Sequence, residues 1–320
     1  GLDQKRLHHI NFKGAIFTNL SQDHLDYHKN MKSYFEAKLI LFKKILNKNS
    51  LVITDKEIEQ FSIIKKISKN KKLKLADISK EFKKIKSVGL KHFSNFKIKN
   101  LAMAIKATRL CGLREEQIYK SIRKIKDVNG RLELVKKYSN GVKVFVDYAH
   151  TPDALSKTLE SLELYSKNNI SVVFGCGGER DKKKRPLMAK IANEYCNKIY
   201  ITDDNPRNES PTKIRKQLLK YISKNKVFDI GNRELAIKKS IQNAEPNETI
   251  LIAGKGHEEK QIYKNKIKVI SDKKIIKKIK KKNKKFNYFF IKKIKCACPL
   301  RWSLRLFFKG KKMYNAFFTV

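Results

Sequence analysis

The stretch from Thr18 to Leu46 reads TNLSQDHLDYHKNMKSYFEAKLILFKKIL, and the fold of the first part of the chain is inferred from it. Its first half is a polar loop rich in histidine and aspartate. Its second half has the apolar spacing of a helix from Met31 to Leu46. Lys38 falls inside the apolar stripe, where a bare ammonium group must be neutralised, paired or modified unless it reaches water along the helix surface. The stripe consists of Tyr34, Phe35, Leu39, Leu41, Phe42, Ile45 and Leu46.

The rest of the first 130 residues alternates short apolar runs with helical patterns. Short apolar runs between polar residues are typical of buried strands, and a helical pattern that is closed by glycine ends there. Gly112 is such a glycine. The patterns predict strands at 15–18, 51–54 and 73–76, and helices at 93–112 and 115–126.

From residue 131 onward, strand patterns and helix patterns alternate. This order predicts an α/β fold with a Rossmann-like parallel sheet and flanking helices. Ligands of such sheets bind at the carboxyl ends of the strands. The predicted strands are 142–147, 171–174, 198–202 and 249–253, and the predicted helices are 152–165, 186–196 and 213–222.

A polar motif follows each of these four predicted strands, where a ligand site is expected. Glycine-rich loops and Asn-Pro turns are weak signals when they occur alone. The order of the motifs along the chain is more specific than any one of them. They are DYAHTPDAL (147–155), GCGGERDKKKRP (175–186), DNPR (204–207) and AGKGHE (253–258).

Together with TNLSQDHLDYH and YFEAK, these motifs resemble the Mur ligases, the ATP-dependent enzymes that build the peptide of bacterial cell-wall precursors. The resemblance covers residues 1–281. It implies that residues 1–130 are the C-terminal part of an ATP-binding central domain and that residues 131–281 are a Rossmann-like C-terminal domain. Residues 282–320 form a basic tail that matches nothing in the family, and we expect it to be disordered or foreign to these enzymes.

The resemblance also implies a reaction, in which ATP and Mg²⁺ serve to join meso-diaminopimelate to UDP-N-acetylmuramoyl-L-alanyl-D-glutamate through an acyl phosphate. In the family, the helix lysine is carbamylated and supplies an oxygen ligand to Mg²⁺, a hard cation. This role falls on Lys38, and that of a neighbouring metal ligand falls on His24. The implied contacts to ATP come from Arg131, Asp147 and His150.

The family motif DNPR is associated with diaminopimelate, and physical chemistry agrees. Diaminopimelate is lysine with an extra carboxylate at its far end, which an arginine can bind with two parallel hydrogen bonds. If lysine bound in place of diaminopimelate, the arginine would be left unpaired in a buried site, and this would weaken the binding of lysine. A simple turn with a solvated arginine remains the alternative for this motif. The implied diaminopimelate-binding residues are Arg180, Asp204, Asn205, Arg207, Gly254 and Glu258.

The chain departs from the family at its start. It has no GxxxxGK[ST] phosphate loop, and the Glu-Val-Ser-Ser-His segment that precedes the counterpart of Gly1 in the family does not occur. We therefore expect the chain by itself to be inactive. Two alternatives remain, namely a related amide ligase such as a folylpolyglutamate synthetase, and a non-catalytic remnant that binds polyanions.

Composition limits the partners. The formal net charge of +45 ordinarily suggests nucleic acid, but the lysines are spread among isoleucine and asparagine, and acidic substrates also suit a basic protein. We find neither a zinc-finger spacing nor an RNA-recognition motif, so no specific nucleic-acid partner is predicted. Five scattered cysteines, no apolar run of membrane-spanning length and no signal sequence predict a cytoplasmic protein, which we expect to be a monomer.

Overall fold

The computed structural model describes residues 1–7, 9–87, 93–122, 124–125, 128–163 and 169–280, and the backbone of 303–309 and 312–319. The chain divides into two compact units, Gly1–Lys280 and Lys281–Val320. Within the described part of the chain, no helix has both the length and the apolar character that crossing a membrane requires.

The first part of the larger unit is built on a three-stranded parallel sheet of order β1-β2-β3. Helices cover both faces of this sheet, because neighbouring residues of its central strand point to opposite sides. Val52 packs with the helix that carries Lys38, whereas Ile53 packs with the long helix that ends near Gly112. The elements are β1 (Gly14–Phe17), α1 (Leu25–His28), α2 (Met31–Ile40), a π-helical turn (Leu41–Ile45), β2 (Leu51–Thr54), α3 (Phe61–Asn70), β3 (Lys74–Asp77), α4 (Ser79–Ser87), α5 (Asn95–Leu110) and α6 (Glu115–Ile122).

The single helix predicted from Met31 to Leu46 is in fact two segments. After α2 the backbone widens into the π-helical turn, which closes with a hydrogen bond from the Leu46 amide to the Leu41 carbonyl oxygen at 2.9 Å. A wider turn shifts the angular position of the residues that follow it. Phe42 in this turn and Leu46 after it are buried. Tyr34 of the predicted stripe precedes the turn and stays half-buried, with its ring 5.9 Å from that of His24 in the polar loop.

The second part of the larger unit is a six-stranded sheet of order β4-β5-β9-β6-β7-β8. Only the edge pair β4 and β5 is antiparallel, and the other neighbours are parallel. The elements are β4 (Glu133–Lys137), β5 (Lys143–Val146), α7 (Pro152–Glu163), β6 (Ile170–Phe174), α8 (Lys184–Tyr195), β7 (Lys198–Ile201), α9 (Pro211–Leu219), β8 (Val227–Asp229), α10 (Arg233–Gln242), β9 (Thr249–Ile252), β10 (Lys260–Tyr263), β11 (Lys266–Val269) and α11 (Asp272–Lys278).

Alternate residues of each central strand fill two separate cores. Val172 and Leu251 point to the face covered by α7, α8 and α9, whereas Val173 and Ile252 point to the face covered by α10 and α11. Helices on both faces of a parallel sheet are the doubly wound arrangement. The predicted α/β fold is therefore confirmed, and the carboxyl ends of β5, β9, β6 and β7 lie side by side at one edge.

The predicted elements occur with small shifts in their bounds, but several others were missed. The elements that were not predicted include strands β4, β8, β10 and β11 and helices α3, α4, α10 and α11. The signals of β8 and α10 are weak, since β8 has three residues and α10 mixes lysines with its apolar residues. The predicted bounds of the domains at 130/131 and 281/282 stay predictions. Parts of the predicted helices 115–126 and 152–165 lie outside the described residues.

In the second unit the structure describes one antiparallel hairpin, β12 (Ser303–Lys309) and β13 (Lys312–Thr319). The other residues of the predicted basic tail, with the cysteines at 296 and 298, lie outside the described residues.

A fully buried ion pair supports the loop that follows β9. Arg233 donates to both carboxylate oxygens of Asp272 at 2.8 and 2.7 Å and to the carbonyl oxygen of Ala253 at 2.9 Å. We expect Arg233→Ala to lower the free energy of unfolding by about 3–5 kcal/mol, because it leaves the Asp272 carboxylate buried without a partner. Urea denaturation measures the loss. The control is Lys238→Ala on the exposed face of α10, where the pair with Glu234 contributes about 0.5 kcal/mol or less; equal losses would contradict the expectation.

Candidate active site

A cleft of about 690 Å³ lies between residues that follow β5 and residues from the first part of the chain. It brings together Arg131, Asp147 and His150, the three residues for which the sequence predicts contacts to ATP. The opposite wall includes Asn100 from α5 and Asp55, which follows β2. The cleft is lined by both polar and apolar groups, as is common for small-molecule sites.

Asp147 is buried at the end of β5 and organises its own loop. Its carboxylate accepts hydrogen bonds from the backbone amides of Leu132 and Ala149, the latter at 2.7 Å. Burial raises the pKa of Asp147 above its usual range, although these hydrogen bonds act in the opposite direction. The bond to Leu132 fixes the residue next to Arg131 and so holds this arginine at the mouth of the cleft.

Tyr148 is surrounded by the side chains of this loop and of the loop after β9. The Arg131 guanidinium lies 4.3 Å from the centre of its ring, and the His257 ring stacks on it with centroids 5.7 Å apart. The His150 ring meets it edge-on at 4.7 Å. His150 also contacts the Tyr148 carbonyl oxygen through Nδ1 at 2.9 Å.

The polar loop before α2 reaches this part of the site through Asp23. His24 has a left-handed backbone conformation with φ 55°, which turns the chain into α1. The Asp23 carboxylate lies 3.4 Å from Nε2 of His24 and 3.7 Å from Nε2 of His150. Burial alone would raise the pKa of Asp23, but the polar contact with His150 and the charge of His24 outweigh it and lower the pKa to about 2.

Lys38 is half-buried on α2, the helix that follows this loop and α1. Its Nζ lies 4.8 Å from the ring centre of Tyr34 and 6.0 Å from that of Phe17. Among the described residues, no acidic side chain forms an ion pair with Lys38. Burial lowers the pKa of its amine, and the more distant charge of Asp23 only partly opposes this effect.

The described residues contain no group of three or more His, Cys, Asp or Glu side chains that could hold a metal ion. His24 and Lys38 are thus at most two ligands of the predicted Mg²⁺ site. Such a set is compatible with Mg²⁺ only when substrate phosphates and water complete the shell, which is how this ion is commonly bound. A carbamate on Lys38 would supply the oxygen donor that Mg²⁺ prefers.

The loops after β7 and β9 are joined by a buried ammonium group. Lys255 is fully buried, and its Nζ lies 3.1 Å from Oδ1 of Asn205 and 3.4 Å from Oε2 of Glu258. The same Asn205 oxygen accepts from the backbone amide of Ile262 at 3.0 Å. Asn205 and Glu258, which the sequence predicts to bind diaminopimelate, are therefore fixed relative to each other.

Arg207 also lies at this edge of the sheet. It has a left-handed backbone with φ 53°, and its Nη1 donates to the carbonyl oxygen of Gly178 at 2.7 Å. A side chain on Gly177 would lie 3.1 Å from this Nη1 and 3.7 Å from Cγ of Arg180. Gly177 thus leaves space beside both Arg180 and Arg207, and the guanidinium of Arg180 extends to Asp26 at 3.4 Å.

The other two predicted diaminopimelate-binding residues, Asp204 and Gly254, lie against each other. Gly254 has φ 106°, and a side chain there would lie 3.1 Å from Oδ2 of Asp204. This oxygen is buried and has no hydrogen-bond partner among the described residues. The other oxygen of the Asp204 carboxylate, Oδ1, accepts a hydrogen bond from the backbone amide of Asn205 at 2.8 Å.

The structure thus forms two neighbouring groups of predicted residues, one around the cleft and one around Lys255. Sequence reasoning missed Asp23 and Tyr148, and it included Lys255 only as a letter of the AGKGHE motif. The signal for Asp23 was its place beside His24 in a loop rich in charge. No signal in the sequence set Tyr148 apart, because its role depends on contacts with residues more than a hundred positions away.

The fold and the site define an α/β protein with a ligand cleft at the carboxyl edge of a parallel sheet. Two domain profiles match the chain: the Mur ligase middle domain over residues 1–110, and the Mur ligase glutamate ligase domain over residues 130–256. The chain therefore belongs to the Mur ligase family, and the resemblance found in the sequence is confirmed.

Two relatives carry the name UDP-N-acetylmuramoyl-L-alanyl-D-glutamate–2,6-diaminopimelate ligase. The protein from Rickettsia montanensis is 38% identical over 302 residues, which cover 87% of this chain and 62% of the relative. The protein from Wigglesworthia glossinidia brevipalpis is 40% identical over 307 residues, which cover 87% and 61%. The chain therefore spans about three fifths of the length of these curated relatives.

Solved structures of folylpolyglutamate synthases share the fold. A bifunctional folylpolyglutamate synthase/dihydrofolate synthase from Yersinia pestis, complexed with AMPPNP and Mn ion, has a TM-score of 0.59 at 15% identity. The match covers 77% of this chain and 59% of that protein. E. coli FolC with ADP has a TM-score of 0.58 at 18% identity, with the same coverage. At such identities the likeness concerns the fold alone.

The low pKa of Asp23 gives a pH dependence that can be measured. Because the folded-state pKa of about 2 lies below the ordinary 3.8, ionised Asp23 stabilises the fold above the ordinary value, and this contribution is lost as the pH falls towards 2. We expect the difference in unfolding free energy between the unsubstituted protein and Asp23→Asn to shrink from about pH 5 to about pH 2. The control is Asn30→Ala, which replaces an uncharged residue of the same loop. Its difference in unfolding free energy from the unsubstituted protein should not change over this pH range. A constant difference for Asp23→Asn would contradict the ionised pairing.

Proposed function

We propose that the protein containing this chain joins meso-diaminopimelate to UDP-N-acetylmuramoyl-L-alanyl-D-glutamate in an ATP-dependent reaction. The observation that carries the proposal is the group formed by Asn205, Arg207, Lys255 and Glu258, which is linked to the cleft by the hydrogen bond from Tyr148 to Glu258. This group combines opposite charges at one edge of the sheet. The names of the relatives support the same substrates.

The chemistry of meso-diaminopimelate suits this group. Each end of the molecule carries an ammonium and a carboxylate, so a site for it needs a cation and an anion close together. Arg207, with Asn205 beside it, is proposed to bind the carboxylate that lysine lacks. Glu258 is proposed to bind an ammonium group, together with Gly254 and Asp204, while Arg180 binds the carboxylate at the reacting end.

The cleft suits ATP. Asp147 is proposed to accept hydrogen bonds from the ribose hydroxyls, since its carboxylate is fixed and lies in the lining of the cleft. His150 is proposed to contact the same part of the nucleotide. Arg131 lies at the mouth, where its guanidinium is well shaped to hold a phosphate.

The proposed reaction has two steps. The terminal phosphoryl group of ATP is transferred to the glutamate carboxylate, which gives an acyl phosphate and ADP. The unprotonated amine of diaminopimelate then attacks the acyl carbon, an amide bond forms, phosphate leaves with the bonding electron pair, and the amine loses a proton. Positioning and charge stabilisation supply most of the catalysis in such transfers.

His24 and carbamylated Lys38 are proposed as the protein ligands of Mg²⁺, whose charge would offset that of the phosphates. The half-buried position of Lys38 and the lowered pKa of its amine support carbamylation, because only an unprotonated amine reacts with carbon dioxide. His24 lies on the same loop as Asp23, close enough to be oriented by it at 3.4 Å.

We infer that the protein works in the cytoplasm as a monomer, since a nucleotide-linked substrate and ATP are both found there. The excess of basic residues suits these acidic substrates. A folylpolyglutamate synthase would share the fold, but its amino-acid substrate, glutamate, has one ammonium group and no counterpart to the second amino end of diaminopimelate. The combination of Arg207 with Glu258, two opposite charges carried by the loops that Lys255 joins, therefore favours diaminopimelate.

The test is ATP-dependent incorporation of labelled meso-diaminopimelate into the nucleotide dipeptide by the full-length protein, with L-lysine as the competing substrate. Diaminopimelate should be incorporated and lysine should be rejected. Incorporation of glutamate into a folate, or of neither amino acid into the dipeptide, would overturn the proposal.

The same assay tests the specificity residue. We expect Arg207→Lys to lower kcat/KM for diaminopimelate by about 10- to 100-fold, because a single ammonium cannot form two parallel hydrogen bonds to the distal carboxylate. The kcat/KM for ATP should change little. The matched control is Arg114→Lys, an exposed arginine before α6, which should behave as the unsubstituted protein. An equal effect of the two substitutions would exclude the proposed role of Arg207.

Carbamylation has its own test, which does not depend on turnover. Protein incubated with isotopically labelled bicarbonate should show a carbamate carbon signal by NMR, because burial leaves more of the Lys38 amine unprotonated than that of a surface lysine. The signal should disappear in Lys38→Arg and remain in Lys32→Arg, the exposed control on the same helix. A signal that survives Lys38→Arg would assign the carbamate elsewhere.

A further inference from the structure

Tyr148 joins the two groups of residues in the site. Its hydroxyl donates a hydrogen bond to Oε1 of Glu258 at 3.0 Å. Its ring faces the cleft and carries the Arg131 guanidinium at 4.3 Å. One side chain therefore contacts a residue proposed for the nucleotide and a residue proposed for diaminopimelate.

The position of Tyr148 is tightly constrained. Gly256 has φ 54°, and a side chain there would lie 2.9 Å from Cβ of Tyr148 and 2.7 Å from the carbonyl oxygen of Gly130. Both distances are too short for a real side chain, so the loop after β9 reaches Tyr148 only because this position is glycine. His257 then stacks on the tyrosine ring with an angle of 28° between the ring planes.

Glu258 is held from two sides. Its Oε1 accepts from Tyr148, and its Oε2 lies 3.4 Å from the buried Nζ of Lys255. Lys255 also contacts Asn205, so it joins Glu258 to the loop after β7. Tyr148 also lines the cleft, so it joins Glu258 to the nucleotide site proposed there. A change in the position of the Tyr148 ring must therefore move or release one oxygen of the Glu258 carboxylate.

We propose that Tyr148 is a positioning residue that couples the binding of nucleotide to the binding of diaminopimelate, by orienting the Glu258 carboxylate from the wall of the nucleotide cleft. This inference rests on the proposed function. A nucleotide in the cleft restricts the Tyr148 ring, and a restricted ring keeps Glu258 in the orientation that receives an ammonium group. The protein then loses less conformational freedom when diaminopimelate binds, so its affinity for diaminopimelate rises. By thermodynamic linkage, bound diaminopimelate must raise the affinity for the nucleotide by the same factor.

The experiment measures the Kd of meso-diaminopimelate by titration calorimetry on the full-length protein, with and without saturating ADP. For the unsubstituted protein we expect ADP to lower this Kd by about threefold or more. In Tyr148→Phe the ring and its stacking remain but the hydroxyl is lost, so the ratio of the two Kd values should fall to about one. The Kd of ADP alone should stay within about twofold. The control is Tyr221→Phe, an exposed tyrosine after α9, which should keep the full ratio.

The outcomes separate this inference from the proposed function. If diaminopimelate binds and the ratio is the same in Tyr148→Phe as in the unsubstituted protein, the coupling role is overturned and the proposed function stands. If the unsubstituted protein binds no diaminopimelate at either condition, the proposed function is overturned together with this inference. A lower melting temperature alone would not change the ratio, so a merely structural role of the hydroxyl predicts no loss of coupling.

Discussion

The buried ammonium of Lys255 is the interaction on which the site depends. An ammonium with no exposed surface is stable only when acceptors surround it, and Asn205 and Glu258 supply them. Each of these acceptors belongs to a different part of the sheet edge, so their separation is set by one charged group. Removing the charge would leave a buried carbonyl and a carboxylate without their common partner, which is more costly than the loss of a surface pair.

The parallel sheet determines which loops meet around this lysine. β5, β9, β6 and β7 are neighbours with parallel strand directions, so the residues that follow them emerge at the same edge. The glycines at these strand ends matter because the loops approach one another closely. A side chain on Gly178 would overlap the backbone of Pro206, which lies in the next loop. Small residues at strand ends thus permit a dense set of polar groups above an apolar core.

The sequence predicts the elements and the residues at strand ends well, because both depend on local patterns. The strand at 51–54 is found at the predicted positions, and Arg131, Asp147 and His150 are brought to one cleft. The π-helical turn after α2 was not predicted, because the apolar pattern of 41–46 fits an α-helix equally well. Tyr148 and Asp23 were missed for another reason, since their partners are distant in sequence and only the fold brings them together.

Three polar contacts join the loop before α2 to the C-terminal loops. Gln22 donates to Asp181 at 2.7 Å, Asp26 lies 3.4 Å from Arg180, and Asp23 lies 3.7 Å from His150. These contacts are only partly buried, and we expect them to stabilise the fold less than the fully buried Arg233 pair under the sheet edge. The loop that carries His24 is therefore held less firmly than the residues around Lys255. A site built this way has one rigid wall, and a second wall that a ligand with several phosphates can adjust at small cost in free energy.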